Sequence, residues 1–490
     1  MTPPPRRWYQ DGRLWLIAAA LLALPLCLDA TSDPDLWWHL RTGQWIVDHV
    51  AVPHTELFSY TAPGAPWVAH EWLSEVIFWV VYHGLGLTAL ALLMGLVTWS
   101  GLLGLAWLGR QRGAGGFAVG VVLLLGAKAM EPVTGTRVQM FTFALLCWTL
   151  VLLHAHITHG GRRIWLLVPI FLVWANLHAG FALGLGFLAA AVVGTALDAA
   201  WQRRLDRETI RRHATAAIAL LLSALVALVN PNGFDLYGRA VLAVGASEHR
   251  LIQEWQPPDF TSLSMLPLAL LIIATAGSLL VNRRRVRPSH LLLTAVGVAA
   301  SLVAVRNIAL GVALLSPTLA ELFPLRYRLP VRPMVLSLIG VAAAGVVLVT
   351  SIASVAATTE PASLARAFPS CLVANLVAGG HPIRLWLPYG QSGYAINAGW
   401  PSVRVYAYGE ETTLGSTVID DYVRIAAGDA TTPGALDLLS SSHTNAVITS
   451  PGALATELAT AGWRTIAAAN GETLFSSADG ISRATVACAG

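Results

Sequence analysis

Asp33 and Asp35 open the stretch of this sequence richest in reactive side chains. The run Asp33-Pro34-Asp35-Leu36-Trp37-Trp38-His39 follows directly on the first apolar run, and Ala69-His70-Glu71-Trp72 closes the same loop. A carboxylate at a membrane surface can take a proton from an attacking hydroxyl or ligate a divalent metal ion. Asp35 and His39 stand four apart and share a face if the segment is helical. His70 and Glu71 form a second charged pair, suited to holding an acceptor or orienting the first carboxylate. Structural alternatives attach to the same residues. Asp33 before Pro34 reads as an N-cap and a first helical residue. Trp37 and Trp38 read as an interfacial aromatic belt, and Glu71 as a charge favoured near a helix N-terminus. The candidate catalytic residues are Asp33, Asp35, His39, His70 and Glu71, with Asp33 and Asp35 as the metal ligands if a metal is used.

A second group lies further along the chain. Arg137 and Arg306 sit at the ends of apolar runs, where an ionisable group is costly and is kept for a partner or a substrate. A guanidinium fork matches phosphate geometry, so both are candidates for gripping a lipid phosphate; snorkelling to the headgroups is the plainer reading of Arg306. Asn176 and His178, in Trp174-Ala175-Asn176-Leu177-His178, mark a break between two apolar runs, and polar groups at such a break line a cavity or bond between helices. Glu254, before Trp255, completes the substrate-binding candidates. Lys128 is the chain's only lysine, and its spacing to Glu131 suits an ion pair.

The elements that must position these residues are apolar helices. Over 490 residues 55% are hydrophobic and 12% charged, with a mean hydropathy of +0.62. So little charge excludes an ordinary soluble domain and fits a polytopic membrane protein. The net charge of +4 is small and forms no basic stripe, which argues against nucleic acid as a partner. Eleven spans are expected near 14–31, 86–108, 117–131, 138–156, 164–178, 180–199, 214–229, 263–281, 288–304, 306–322 and 333–356. The first run, Leu14 to Leu28, follows three arginines but shows no convincing cleavage site, and is read as a retained anchor. With the N-terminus cytoplasmic, every basic cluster between spans falls on one side: Arg110 and Arg112; Arg162 and Arg163; Arg203 to Arg212; Arg283 to Arg287; Arg326 to Arg332. The opposite, extracytoplasmic side then receives the 32–72 loop, the 230–262 loop and everything after about residue 357. Between Ala69 and His83 an interfacial helix is expected, with Glu71 and Glu75 on one face.

The chain is thus read as a transmembrane domain over 1–356, including the 32–72 loop, and a small extracytoplasmic α/β domain over 357–490. In the latter, Val403 to Tyr406, Ala446 to Thr449, Trp463 to Ala468 and Glu472 to Ser476 are β-prone, and Ala453 to Ala461 is helical. No nucleophile elbow, phosphate loop or metal-ligand cluster appears there, so this domain is expected to bind or shield substrate or to support the fold. Cys371 and Cys488 bracket it and suit a disulfide if it is extracytoplasmic; Cys27 and Cys147 lie in apolar runs.

This arrangement resembles the GT-C superfamily of polytopic membrane glycosyltransferases, which use polyprenyl-phosphate sugars. Those enzymes carry an acidic motif in the first extracytoplasmic loop, directly after the first transmembrane helix, and Asp33-Pro34-Asp35 stands at that position. The blocks Trp37-Trp38-His39, His70-Glu71-Trp72-Leu73, Trp174-Ala175-Asn176-Leu177-His178 and Glu254-Trp255 are similar to those of bacterial membrane proteins grouped with the superfamily. The resemblance implies an inverting hexosyl- or pentosyltransferase in the bacterial inner membrane. Its donor would be a polyprenyl-phosphate sugar among membrane lipids, its acceptor a cell-envelope glycan or lipid, and Asp33 or Asp35 its base or metal ligand. Some members use a divalent cation, Mg or Mn, and others none. The tryptophan-rich acceptor-binding signature of oligosaccharyltransferases is missing from the C-terminal domain, so peptide glycosylation is not implied. Rival readings are a polysaccharide polymerase or ligase with a lipid-linked donor, leaning on Arg137 and Arg306, and a transporter or flippase, with polar groups through the full bilayer depth. An assembly protein without catalysis is the third.

Overall fold

The computed structural model describes residues 13–28, 33–238, 253–323, 333–428 and 434–488. Arg326, Arg328, Arg332 and residues 239–252 of the 230–262 loop lie outside them. About 69% of the chain is helical. Contacts divide it into two compact units: 1–30, 88–240 and 250–355 in the first, and 31–87, 241–249 and 356–490 in the second. The first loop therefore belongs with the C-terminal segment, not with the membrane helices among which the sequence grouping placed it.

Every expected span has its helix: α1 (Arg13–Ala23), α3 (Trp72–Gln111), α4 (Gly116–Met130), α5 (Gln139–His159), α6 (Leu167–Leu177), α7 (Phe181–Trp201), α8 (Arg207–Val226), α9 (Leu266–Val281), α10 (Pro288–Val303), α11 (Ile308–Leu322) and α12 (Pro333–Thr358). Remaining in chain order, α2 (Leu36–His49) lies in the first loop. Eight helices among the described residues are long and apolar enough to cross a membrane, and the chain is a multi-pass membrane protein. The expected interfacial helix merges with the following span into α3, interrupted at Gly86, where φ 83 and ψ 175 leave the helical range.

In the helical unit α11 is the centre. Every residue from Ile308 to Leu322 except Glu321 is buried, as a helix apolar on all sides must be. Its neighbour α10 comes so close that a Cβ on Gly311 would fall 2.9 Å from the Gly297 carbonyl and collide with the Ser301 hydroxyl, the close approach that small residues permit in membrane helix pairs. Glu321 ends α11 in a polar knot: Arg287 pairs with it, the His290 ring nitrogen lies 3.1 Å away and Arg112 3.6 Å. Asp198 of α7 accepts the Ser289 backbone N–H at 2.8 Å and its hydroxyl at 2.5 Å. Arg112 and Arg287, which the sequence offers only as orientation signals, thus also tie helices together.

The second unit is built on a five-stranded sheet, β1 (Ile383–Trp386), β2 (Val403–Val405), β3 (Ala446–Thr449), β4 (Arg464–Ala469) and β5 (Glu472–Ser476), in the order β2-β1-β3-β5-β4. β2, β1 and β3 are parallel, whereas β5 runs antiparallel to both β3 and β4. The β4–β5 turn is Asn470-Gly471, both with positive φ, as a tight two-residue hairpin requires. The first loop is woven into this core: Trp38, Phe58, Trp67 and Ala69 pack among Leu385, Val405, Tyr408 and Leu474. Tyr60 donates its N–H to the Val405 carbonyl at 3.2 Å, and Val405 donates its own to Phe58 at 3.1 Å. Cys371 and Cys488 form the disulfide. Asn375 reinforces it, donating to the Val486 carbonyl at 2.9 Å and accepting the Thr485 N–H at 2.7 Å.

Candidate active site

Helix α2 starts two residues later than the Asp33-Pro34 signature suggests. Asp35 is the N-cap, while Asp33 accepts the Asp35 backbone N–H on Oδ1 at 3.0 Å. This is the turn in which an Asx side chain stands in for backbone. Asp33 is buried and its carboxylate shapes the turn. Asp35 is only partly buried; its Oδ1 accepts the indole N–H of Trp38 at 3.0 Å.

His39 does not use Asp35 as its hydrogen-bond partner, as the spacing suggested. Its Nδ1 lies 3.0 Å from Glu75 and its Nε2 3.5 Å from Glu71, so the i, i+4 pair of carboxylates grips the ring from two sides. Both nitrogens facing carboxylates makes the imidazolium the favoured form. Burial alone would lower the His39 pKa, but the hydrogen bond to Glu75 and the charges of Glu71, Glu75 and Asp35 outweigh it and raise it to about 9. A charged imidazole is no general base at neutral pH, and here it holds α2 to the start of α3. His70 lies 3.4 Å from the other Glu71 oxygen, with its Nδ1 3.2 Å from the Val68 carbonyl.

Further residues, not among the sequence candidates, connect to Trp38 and Asp35. Glu56, in the first loop, accepts the backbone N–H groups of Phe58 and Ser59 at 2.6 and 2.7 Å and the Tyr408 hydroxyl at 2.7 Å. Burial still pushes its pKa up against these donors. The Tyr408 ring lies edge-on to Trp38, centroids 5.5 Å apart, and its carbonyl accepts the Tyr389 hydroxyl at 2.9 Å. Burial and the nearby charges of Glu411 and Asp35 hold the Tyr389 phenol well above its ordinary pKa. Glu410 and Glu411 follow in the same loop, both buried. One signal was available: these residues directly follow the Val403–Tyr406 β-run, and the carboxyl ends of parallel strands are where α/β domains place their sites.

The helical unit assembles the other candidates. Arg137 pairs with Glu254, and the Arg306 guanidinium lies 4.1 Å over the Trp255 ring; the Val305 N–H reaches the Gln256 carbonyl at 2.9 Å. Stacking engages the face of a guanidinium and none of its N–H donors. Asn176 donates to the carbonyls of Leu172 at 2.8 Å and Val229 at 3.0 Å. The His178 Nδ1 accepts the Gly180 N–H at 3.0 Å and lies 2.8 Å from the Thr142 hydroxyl, which in turn accepts the Trp174 indole N–H at 2.8 Å. These bonds stitch the α6–α7 break to α5 and to the end of α8. Lys128 and Glu131 form their ion pair at 2.5 Å.

Among the described residues no group of three or more His, Cys, Asp or Glu is placed to hold a metal ion.

No protein-family model matches this sequence, and no curated protein does. Solved structures do. An oligosaccharyltransferase from Archaeoglobus fulgidus superposes with a TM-score of 0.57 at 12% identity, covering 91% of this chain and 70% of that one. ArnT from Cupriavidus metallidurans gives 0.52 at 13%, covering 94% and 96%. The mycobacterial arabinofuranosyltransferase AftD gives 0.53 at 16%, covering 95% of this chain and 40% of its own. All three are GT-C membrane glycosyltransferases, and this multi-pass chain, with its small sheet-bearing C-terminal unit, has the GT-C fold.

Proposed function

We propose that this protein is an inverting glycosyltransferase that moves a hexose or pentose from a polyprenyl-phosphate donor to an extracytoplasmic glycan or lipid acceptor, with Asp35 as the general base. The supporting observation is the placement of Asp35. It is the partly exposed carboxylate of the first-loop motif, fixed by Trp38 in a fold shared with solved glycosyltransferases, while Asp33 is taken up by its turn. In the reaction the acceptor oxygen bonds to the anomeric carbon from the face opposite the leaving group. The bond from that carbon to the phosphate oxygen breaks, and the phosphate departs with the electron pair. The acceptor proton passes to Asp35.

Phosphate needs positive charge as it leaves. Arg306, whose guanidinium lies over the Trp255 ring, and Arg137, which pairs with Glu254, are the candidates for that role. A lipid-linked donor suits a fold of this kind, because an amphiphile must present its headgroup to polar catalysts while its tail stays among helices. The N-terminus is assigned to the cytoplasm of a bacterial inner membrane and the α/β unit to its outer side. The basic clusters and the Cys371–Cys488 disulfide, which persists in oxidising compartments, support that orientation.

Full-length protein in liposomes, supplied with a panel of polyprenyl-phosphate-linked hexoses and pentoses and a cell-envelope extract as acceptor, tests the reading through release of polyprenyl phosphate. Asp35→Asn is expected to lower turnover about 10³-fold with the melting temperature preserved, and Asp33→Asn to act mainly on stability. Unchanged turnover in Asp35→Asn overturns the assignment. A ligase of the arginine-dependent kind would instead respond chiefly to Arg306→Ala, and a flippase would retain flux in all three variants.

A further inference from the structure

In an open α/β sheet the ligand crevice lies beyond the carboxyl ends of the strands, where the strand order reverses. In this sheet that point is β1, flanked by β2 on one side and β3 on the other. The segment beyond β1 runs from Pro388 into the helix Tyr389–Gly399, and the loop beyond β2 runs from Tyr406 to Glu410. The chain's own acidic motif comes up against both. A Cβ on Gly393 would lie 2.4 Å from the Pro34 carbonyl, and one on Gly409 only 2.1 Å from Asp35 Oδ1 and 2.6 Å from its carboxyl carbon. Neither glycine has a positive φ, so the space, not the backbone conformation, is what demands glycine there.

We propose that Gly409, with the Tyr406–Glu410 loop that carries it, is the positioning element for Asp35. The bare backbone at Gly409 is the wall against which the carboxylate rests, and Trp38 holds the same Oδ1 through its indole N–H. Tyr408, the next residue, anchors that wall. Its ring meets Trp38, its hydroxyl donates to Glu56 of the first loop, and its carbonyl accepts the Tyr389 hydroxyl. The C-terminal α/β unit is then part of the catalytic apparatus, setting where the base sits. This rests on the reading of Asp35 as the base.

The test compares Gly409→Ala with Gly390→Ala, whose Cβ would make an ordinary 3.8 Å contact with Pro34. Both are assayed as full-length protein in liposomes with the polyprenyl-phosphate sugar panel. A base displaced by about 1 Å loses on the order of 100-fold in turnover. Gly409→Ala is expected to show that loss in kcat with little change in KM for the donor, and Gly390→Ala to match the unaltered protein. In the double variant with Asp35→Asn, Gly409→Ala is expected to add nothing, because it acts only through that carboxylate. Trp38→Phe, which keeps the ring packing but removes the indole donor, is expected to move the acidic limb of the kcat–pH profile upward, and it carries the test should Gly409→Ala fail to fold. A Gly409→Ala protein as active as Gly390→Ala, a further loss in the double variant, or an unmoved pH limb in Trp38→Phe overturns the positioning role. Full activity in Asp35→Asn instead sinks the prior assignment of the base, which separates the two failures.

Discussion

In the helical unit Glu254 meets Arg137, and Glu321 meets Arg287, Arg112 and His290. In the α/β unit Glu56 is held by two backbone N–H groups and a phenol, and Asp35 accepts an indole N–H. Opposite charges cancel in the first case, so the groups act as fastenings. The hydrogen bonds named in the second case come from neutral donors. Such donors lower a carboxylate's affinity for a proton less than a full opposite charge beside it does, which suits a catalytic base better than a fastening.

The largest effect on stability that distinguishes the two arrangements is expected at Arg137. Arg137→Ala takes the ion pair from the partly buried Glu254 and should cost about 3 kcal/mol, whereas replacing both partners with apolar residues of similar volume should recover most of it. Thermal unfolding in detergent reads both. Were the double replacement as damaging as the single one, the pair would have a role beyond mutual neutralisation, and the distinction drawn between the units would fail at that point.

His39 is the sharpest test from the other side, because it is a cation in the unit where neutral donors dominate. Its folded pKa of about 9 lies above the ordinary histidine value near 6.5. The contribution to stability is therefore complete below about pH 6.5 and is lost as the pH rises through 9. The melting temperature should fall across that window, and His39→Gln should flatten the fall. A profile with the same slope in the variant would mean that the Glu71–His39–Glu75 clamp does not set the pH response of the α/β unit.

The sequence exposes the membrane helices because their signal is local. A run of apolar residues bounded by arginines marks each span from α1 to α12, even where α6 has 11 residues. Four of the five strands were legible for the same reason. β1 was not: Pro382 and Pro388 clip it to four residues, Ile383 to Trp386, with only Arg384 exposed. Its membership of the sheet is decided by β2 and β3 on either side, which no local pattern displays. The candidate site divides likewise. Asp33, Asp35, His39, His70 and Glu71 announce themselves by type and spacing, and the structure adds that Glu71 and Glu75 share His39. Tyr389, Tyr408 and Gly409 stay hidden because about 350 to 370 residues of chain separate them from Asp35, and Glu56 because its partner Tyr408 is as remote. The Asp33-Pro34 capping signature misled by two positions, since an Asx turn makes the same local bond one step before the helix begins.

Lys128 and Glu131 give the smallest expected effect, and they ask whether burial or the sign of the charge sets the cost of losing a partner. Their ion pair is short, at 2.5 Å, yet both are about half exposed, at 49% and 51%. Exposed pairs contribute at most about 1 kcal/mol, and an i, i+3 pair a few tenths. Lys128→Ala should therefore move the unfolding free energy by about 0.5 kcal/mol or less, several-fold under Arg137→Ala, although both remove a cation from a glutamate. If unfolding measured side by side gave the two variants similar losses, pairing itself rather than desolvation would govern both. Neutral hydrogen bonding of Asp35 and Glu56 could then no longer be set apart from the arginine pairs on physical grounds.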